Sequence, residues 1–316
     1  MPRLKFTLTF ALAMLPLFQG AAAAQTFETA GARALGMGGA FVGVADDVTA
    51  VWWNPAGLAT GGFFSLAVER HAFEQRRPEL FGGPPPAERS TFFLAAGSLP
   101  LGLSYVRTRE TWLTQGPADE AVLRDLVTHQ AGITVLQSLT DTIVVAGTAK
   151  YIRGVAASGP PGVEPDGEGS HAFDADLAVM VHAGALKAGL TLRNVTSPEF
   201  EALDGSRLEL PWLARAGVSY LARPALTVAL DVDLRAVQVG VDRRRSLALG
   251  AEWRIAGSTR FAVRSGARFD TIGEVNPLGT VGGSYAVRNG VWVDIWAAAG
   301  SERADRGWGL AGRFQY

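Results

Sequence analysis

No cysteine occurs anywhere in the 316 residues. Disulfides, thiolate metal sites and a lipid-modified cysteine anchor are therefore all excluded. Histidine is scarce too, and His71, His129, His171 and His182 show no metal-ligand spacing. Neither a metal nor a cofactor is expected. Charge of one sign is also missing: 29 basic residues stand against 30 acidic ones, which gives no basic patch for a nucleic-acid partner. Beyond the first two dozen residues there is no run of 18 or more apolar residues, so no transmembrane helix is expected. A soluble periplasmic protein and an outer-membrane β-barrel both remain open.

The start of the chain reads as separable. Arg3 and Lys5 precede an apolar run from Phe6 to Phe18, and Ala22-Ala23-Ala24 fits a small-residue cleavage site. Residues 1–24 are expected to be a secretory signal peptide, too short and wrongly flanked for a span. Without Arg3 and Lys5 the chain holds 27 basic residues against 30 acidic ones.

From Phe63 onward the dominant period is two, the signal of strands. Leu226, Val228, Leu230, Val232 and Leu234 share one face, with Thr227, Asp231, Asp233 and Arg235 on the other. Leu247, Leu249, Ala251 and Trp253 oppose Glu252, and Phe261 and Val263 oppose Arg260, Arg264 and Arg268. Phe173, Leu177, Val179 and Val181 oppose Asp174 and Asp176. A soluble sandwich alternates as well, but segments of about ten residues suit a tilted strand crossing a bilayer.

Fourteen strands are expected, near 63–70, 91–98, 101–111, 123–137, 142–152, 171–182, 186–195, 211–221, 225–237, 245–255, 258–269, 279–287, 291–299 and 306–316. Tight turns such as Ser98-Leu99-Pro100, Ala222-Arg223-Pro224, Ala256-Gly257 and Arg288-Asn289-Gly290 alternate with longer loops at 71–90, 153–170 and 196–210. Short periplasmic turns alternating with long outer loops are the habit of outer-membrane barrels. The expected fold is an all-β, transmembrane, antiparallel outer-membrane barrel over 63–316, with both termini periplasmic. Its lumen would be lined by Asp174, Asp176, Arg193, Arg215, Asp231, Asp233, Arg235, Glu252, Arg260, Arg264, Arg268 and Arg313. In the last strand Trp308, Leu310, Gly312, Phe314 and Tyr316 share a face. Trp308, Phe314 and the terminal Tyr316 resemble the signal by which the barrel-insertion machinery recognises its clients. Tyr151, Trp212, Tyr220, Trp253 and Trp292 lie towards strand ends, where an interfacial aromatic belt would sit.

A barrel of this size leaves a lumen that leaks unless filled. Residues 25–62 precede the first strand and have the chemistry of a hatch. Gly36, Gly38 and Gly39 permit close backbone packing, Pro55 fixes a turn, and Asn54 can bond the backbone around it. Asp46 and Asp47 are expected to pair with lumenal arginines such as Arg264 or Arg268. The order Gly36-Met37-Gly38-Gly39-Ala40-Phe41, Ala45-Asp46-Asp47 and Trp53-Asn54-Pro55-Ala56-Gly57-Leu58 resembles the N-terminal signature of FadL/TodX-type outer-membrane transport proteins. Within that superfamily it is most similar to the PorV/PorQ branch. The resemblance covers about thirty residues of the chain. It implies a fourteen-stranded barrel with an N-terminal hatch and transport of hydrophobic molecules. Its other branch implies a partner in protein secretion, bound through the outer loops.

Other chemistries fit less well. The glycine cluster lacks a P-loop ending and a strand–helix context. The Asp174/Asp176 and Asp231/Asp233 pairs read as solvated lumenal charges rather than a cation site. There is no Gly-x-Ser-x-Gly elbow, and no enzyme activity is expected. Two readings stand: a hatch-gated barrel for a small hydrophobic or amphipathic solute, and a secretion or attachment partner.

Overall fold

The computed structural model describes residues 22–23, 25–75, 87–115, 120–163, 165–239, 242–255, 260–273, 275–301 and 305–316. Most of the expected leader, the proline stretch 84–86, the Ala256-Gly257 turn and Glu164 lie outside them.

Fourteen strands form one closed antiparallel barrel, each hydrogen-bonded to its chain neighbours. They are β1 Phe64–Gln75, β2 Ala87–Ser98, β3 Leu101–Gln115, β4 Ala121–Ser138, β5 Ile143–Gly159, β6 Gly167–Ala183 and β7 Leu186–Arg193. The circuit continues with β8 Leu213–Arg223, β9 Leu226–Asp233, β10 Ser246–Arg254, β11 Phe261–Asp270, β12 Leu278–Arg288, β13 Val291–Gly300 and β14 Asp305–Gln315. Closure is by β14 on β1, from Asp305↔Gln75 to Gln315↔Ser65, so no edge is left unpaired in lipid. At the tight-turn end the Phe64 and Tyr316 backbones exchange hydrogen bonds of 3.2 and 2.8 Å, which brings the last strand back to the first.

The period-two pattern maps onto the wall. On β9 Val228 and Leu230 point out while Ala229 and Asp231 are buried; on β10 Leu249 and Trp253 point out while Ala248 and Glu252 are buried. The outward positions carry large apolar side chains at high exposure, such as Phe173 at 78% and Val281 at 60%. An apolar surface that runs round the wall while charges are buried inside is inverted relative to a water-soluble protein, and lipid is the solvent that stabilises it.

Strand lengths differ from the expectation at the loop end. The stretches 71–75, 153–159 and 167–170, expected in loops, continue the ladders of β1, β5 and β6. They carry little period-two hydrophobicity because the wall there stands clear of the apolar belt. The 194–212 connection is no open loop either: a short hairpin, Glu199–Glu201 with Arg207–Glu209, folds inward. Its Phe200, Ala202, Leu208 and Leu210 pack with Trp112, Leu126, Ile152 and Ala156 in a second apolar cluster. Phe200 is wholly buried. Removing a buried phenylalanine costs about 3–5 kcal/mol. Phe200→Ala is thus expected to loosen this connection with the barrel intact, read as faster protease cleavage between 199 and 209.

Candidate functional site: the N-terminal segment and the wall around it

Local chemistry folds residues 25–62 into short pieces. A helix over Ala32–Gly36 ends at Met37, where Gly38 and Gly39 take φ of +72° and +87°, the left-handed region that favours glycine. The Asp47 carboxylate accepts from Thr49 N at 2.9 Å and starts the turn Ala50–Trp53. Asn54 Oδ1 accepts from Ala56 N at 3.2 Å, and Pro55 opens the 3₁₀ turn Pro55–Thr60. The Asn54 amide also donates to Val42 O at 3.0 Å and to Val179 O of β6 at 3.2 Å, so one side chain ties the turn to itself and to the wall. Trp53, fully buried, donates to Ala30 O at 2.9 Å and packs between Phe27 and Phe41.

Between Gln25 and Leu58 nearly every residue is buried, including Gly36, Met37, Gly38, Gly39, Phe41, Asp47, Trp53, Asn54, Pro55, Ala56 and Gly57. Asp46 is partly exposed. The groups that bury them are the inward side chains of the wall on several sides. From β1, Glu69 Oε2 accepts from Gly31 N at 2.7 Å and Ala32 N at 3.2 Å. His71 Nδ1 accepts from the Trp296 indole at 2.9 Å, which leaves the Nε2 proton to donate to Glu69 at 2.8 Å. From β9, Asp231 Oδ2 accepts from Phe41 N at 2.9 Å and Val42 N at 2.8 Å. From β7, Thr191 donates to Trp53 O at 2.9 Å, while Arg193 donates to Trp52 O and stacks 3.4 Å from the Trp52 ring. Ser219 of β8 and Thr280 of β12 donate to Gly43 O and Gly36 O at 2.7 and 3.0 Å.

The densest charge network centres on Arg33. Its Nε and Nη2 bond the two Glu252 oxygens at 2.6 Å each, a bidentate pair, and Nη1 meets Asp46 and Asp47. Glu252 in turn accepts from Arg264 Nε at 2.6 Å, Arg264 faces Asp294 at 3.5 Å, and Asp294 faces Arg313 at 3.2 Å. The partner expected for Asp46 and Asp47 therefore differs from Arg264 or Arg268. The segment brings its own cation, and Arg33 takes the acids on one side while presenting its fork to the wall on the other.

A second network joins Glu28 to Arg215 at 2.7 Å and to Arg268 at 3.4 Å, with Asp233 on Arg215 at 2.6 Å. Burial alone would push the Glu28 carboxyl upward, but the two guanidiniums outweigh it and hold it down at about 2. A carboxylate depressed from 4.5 contributes its stabilisation above about pH 4.5 and loses it as pH falls towards 2. Acid is expected to free the segment over that window, seen as protease accessibility of 25–62. Glu28→Gln should flatten the Glu28-dependent part of the profile.

The other residues expected at the lumen fall as follows. Asp174 and Asp176, expected as solvated charges, are instead buried, because Lys150 sits between them with its Nζ 2.6 Å from each. Arg235 lies past the end of β9, half-buried over the Trp212 ring at 4.3 Å, and Arg260 is exposed just before β11. Both sit at strand ends, and Arg235 shares the lining of a small cavity with Glu28, Asp233 and Arg268. Trp308 and Tyr316 face outward at 59% and 82% exposure, and Phe314 packs on Phe64. Glu28, Arg33, Glu69, His71, Lys150, Thr191 and Asn194, whose amide donates to Gln25 Oε1 at 2.8 Å, belong to the site and escape a reading based on alternation. None of them breaks the pattern; their importance comes from what faces them.

Beside β1, β2, β3, β13 and β14, on the loop side of the segment, an open cleft of about 760 Å³ is lined by Phe73, Ala298 and Trp308 together with the charged Glu74, Glu88, Arg89, Arg109 and Arg306. This lies within the size range of small-molecule sites, about 300–1,000 Å³.

No protein-family model and no curated protein sequence matches the chain. Solved structures do. A monoaromatic hydrocarbon channel, CymD, superposes with a TM-score of 0.67 at 12% identity, over 91% of this chain and 98% of that one. The Ralstonia pickettii toluene transporter TbuX gives 0.62 at 12% identity, over 92% and 99%. A Pseudomonas aeruginosa FadL homologue gives 0.64 at 8%, over 91% and 98%. At such identities the likeness is one of fold: a closed fourteen-stranded barrel of the kind found in FadL/TodX-type channels.

Proposed function

We propose that the chain is an outer-membrane channel for a small apolar or amphipathic solute, with its tight turns and both termini periplasmic, and that residues 25–62 are the hatch that closes it. The observation that carries this reading is how the segment is held. Its apolar core runs on into inward side chains of the wall such as Phe93, Val106, Leu136 and Met180, while its directional ties to the wall are polar: Glu69 and Asp231 on backbone amides, and Glu252 on Arg33. The directional contacts can be exchanged for water when the segment moves, while the apolar contacts seal the lumen in the closed state. The cleft beside it supplies room for a solute, and the similar folds named above include a hydrocarbon channel and a toluene transporter.

Deleting residues 27–60 tests this directly. Cells that still insert the barrel are expected to take up toluene faster and to become detergent-sensitive; unchanged uptake and sensitivity would overturn the proposal.

A second reading draws on the resemblance to the PorV/PorQ branch and on the exposed apex Pro160–Val163 between β5 and β6. Here the outer loops hold a secretion-system protein while the lumen stays closed. Shortening residues 160–166 then removes a co-purifying protein and leaves uptake untouched; the channel reading expects no such loss.

A further inference from the structure

The outward face of β1–β6 carries a feature that closing a lumen does not call for. Arg70 pairs across strands with Phe92, Phe92 with Arg107, Arg107 with His129, His129 with Arg153, and Arg153 with His171. One unbroken cross-strand row thus holds three arginines and two histidines. All of them alternate with buried or partly buried neighbours and so point away from the lumen.

On the turn side of the row, the outward positions of the same six strands carry no charged residue. The next paired row is Val68, Leu94, Tyr105, Ala131, Tyr151 and Phe173. The cations therefore mark the loop-side border of the apolar belt, strand by strand. Arg70, Arg107 and Arg153 have no ion-pair partner among the described residues. The nearest outward acids on β1 and β2, Glu74 and Glu88, lie two paired rows further towards the loops. Arg109, one row above, already holds Asp125 at 2.6 Å.

The tyrosines beneath the row orient its imidazoles. Tyr105 Oη and Tyr151 Oη lie 2.8 and 2.7 Å from Nδ1 of His129 and His171. With each hydroxyl donating to Nδ1, the Nε2 proton is left as an outward donor.

We propose that this row is a binding site for the phosphate groups of lipids in the outer leaflet, a phosphorylated glycolipid whose acyl chains lie on the belt below. Unpaired cations at an apolar border are costly in hydrocarbon and stabilising beside anionic headgroups. A lipid whose chains cover Tyr105, Tyr151 and Phe173 places its headgroup against the row. Guanidinium groups suit phosphate because their fork binds two oxygens at once. The site is independent of the hatch, since none of its side chains faces the lumen.

The test is native mass spectrometry of the full-length barrel in mild detergent, titrated with diphosphoryl lipid A, with phosphatidylcholine and with inorganic phosphate. The wild type is expected to retain diphosphoryl lipid A in preference to phosphatidylcholine. The triple variant Arg70→Gln, Arg107→Gln, Arg153→Gln is expected to bind it about a hundredfold more weakly, and the triple lysine variant to keep most of the affinity. Inorganic phosphate at millimolar concentration should not displace it. Equal retention by wild type and glutamine variant, full competition by free phosphate, or a polypeptide held by the row in place of lipid would each overturn the proposal. Heat-modifiable migration on gels confirms that each variant is a closed barrel.

Discussion

Arg33→Ala is expected to open the barrel: residues 25–62 become protease-accessible, and liposomes holding the variant leak a small solute that the wild type retains. Arg33 joins two of the segment's own acids to the wall, through Asp46 and Asp47 on one side and a bidentate pair to Glu252 on the other, with Lys187 of β7 a more distant second cation for Asp46 at 3.9 Å. Removing one member of a buried pair costs about 3–5 kcal/mol, because the partner charge stays behind without compensation. Here three carboxylates lose their shared cation at once. Glu252 keeps Arg264 at 2.6 Å, so it is the less orphaned of them. Asp47, fully buried, loses its nearest cation.

Asymmetry between partners gives the experiment its resolution. Glu252→Gln leaves Arg33 with Asp46 and Asp47, and leaves Arg264 facing Asp294, so its effect is expected to be smaller than that of Arg33→Ala. Arg33→Lys keeps the charge but loses the two-point contact with Glu252, and should fall between them. An Arg33→Ala barrel as closed and as protease-resistant as the wild type would show that the network does not hold the segment.

The wall was legible in the sequence where two faces had opposite chemistry. Residues 226–233 and 246–254 declare themselves because lipid selects one side of each strand and the buried charge groups the other. The weakly patterned glycine-rich stretch Leu278–Arg288 also forms a strand, paired on both sides. Legibility failed at the loop end. Beyond the apolar belt both faces of β5 meet polar surroundings or other protein, so 153–159 shows no clear alternation and reads as loop. The inward hairpin at 199–209 was hidden for a related reason. Its apolar residues, Phe200, Leu208 and Leu210, are spread among charges, and their partners lie far away in sequence on β3, β4 and β5.

In the N-terminal segment, the residues with turn chemistry could be read locally: the left-handed Gly38 and Gly39, and Asn54 ahead of Pro55. Arg33 could not, since nothing in Gly31-Ala32-Arg33-Ala34 distinguishes a buried relay from a solvated helix residue. One signal was available and unused. Glycine in a strand interior marks a close approach of another backbone, and inward glycines on β10 and β11 stand where the segment touches the wall.

Gly266→Val follows from that contact and is a steric perturbation that alters no charge. Gly266 lies on β11 opposite Gly250 of β10. A Cβ built there would fall 2.2 Å from Met37 C and 2.3 Å from Gly38 N. Both are backbone atoms, so no side-chain rotation relieves the clash, and Gly38 is itself left-handed and so close to the wall that a Cβ added there would meet the Ala267 and Leu249 backbones at 2.9 to 3.1 Å. The wall strand is fixed by ladders on both sides, so the segment is what must retreat. Overpacking a close-packed site typically costs about 1–3 kcal/mol, and a backbone contact at such distance belongs at or above the upper end. The expected result is a barrel that inserts and migrates normally yet leaks and exposes 25–62 to protease, as Arg33→Ala does, with every ion pair chemically intact. Gly283→Val on the neighbouring strand is the control: its side chain would point outward, 3.8 Å from the nearest atom, Ala262 O, and should change neither leak nor protection. If Gly266→Val were as tight as Gly283→Val, the backbone of 36–39 would not be seated on the wall in the closed state, and the proposed role of the segment as a hatch would lose its steric basis.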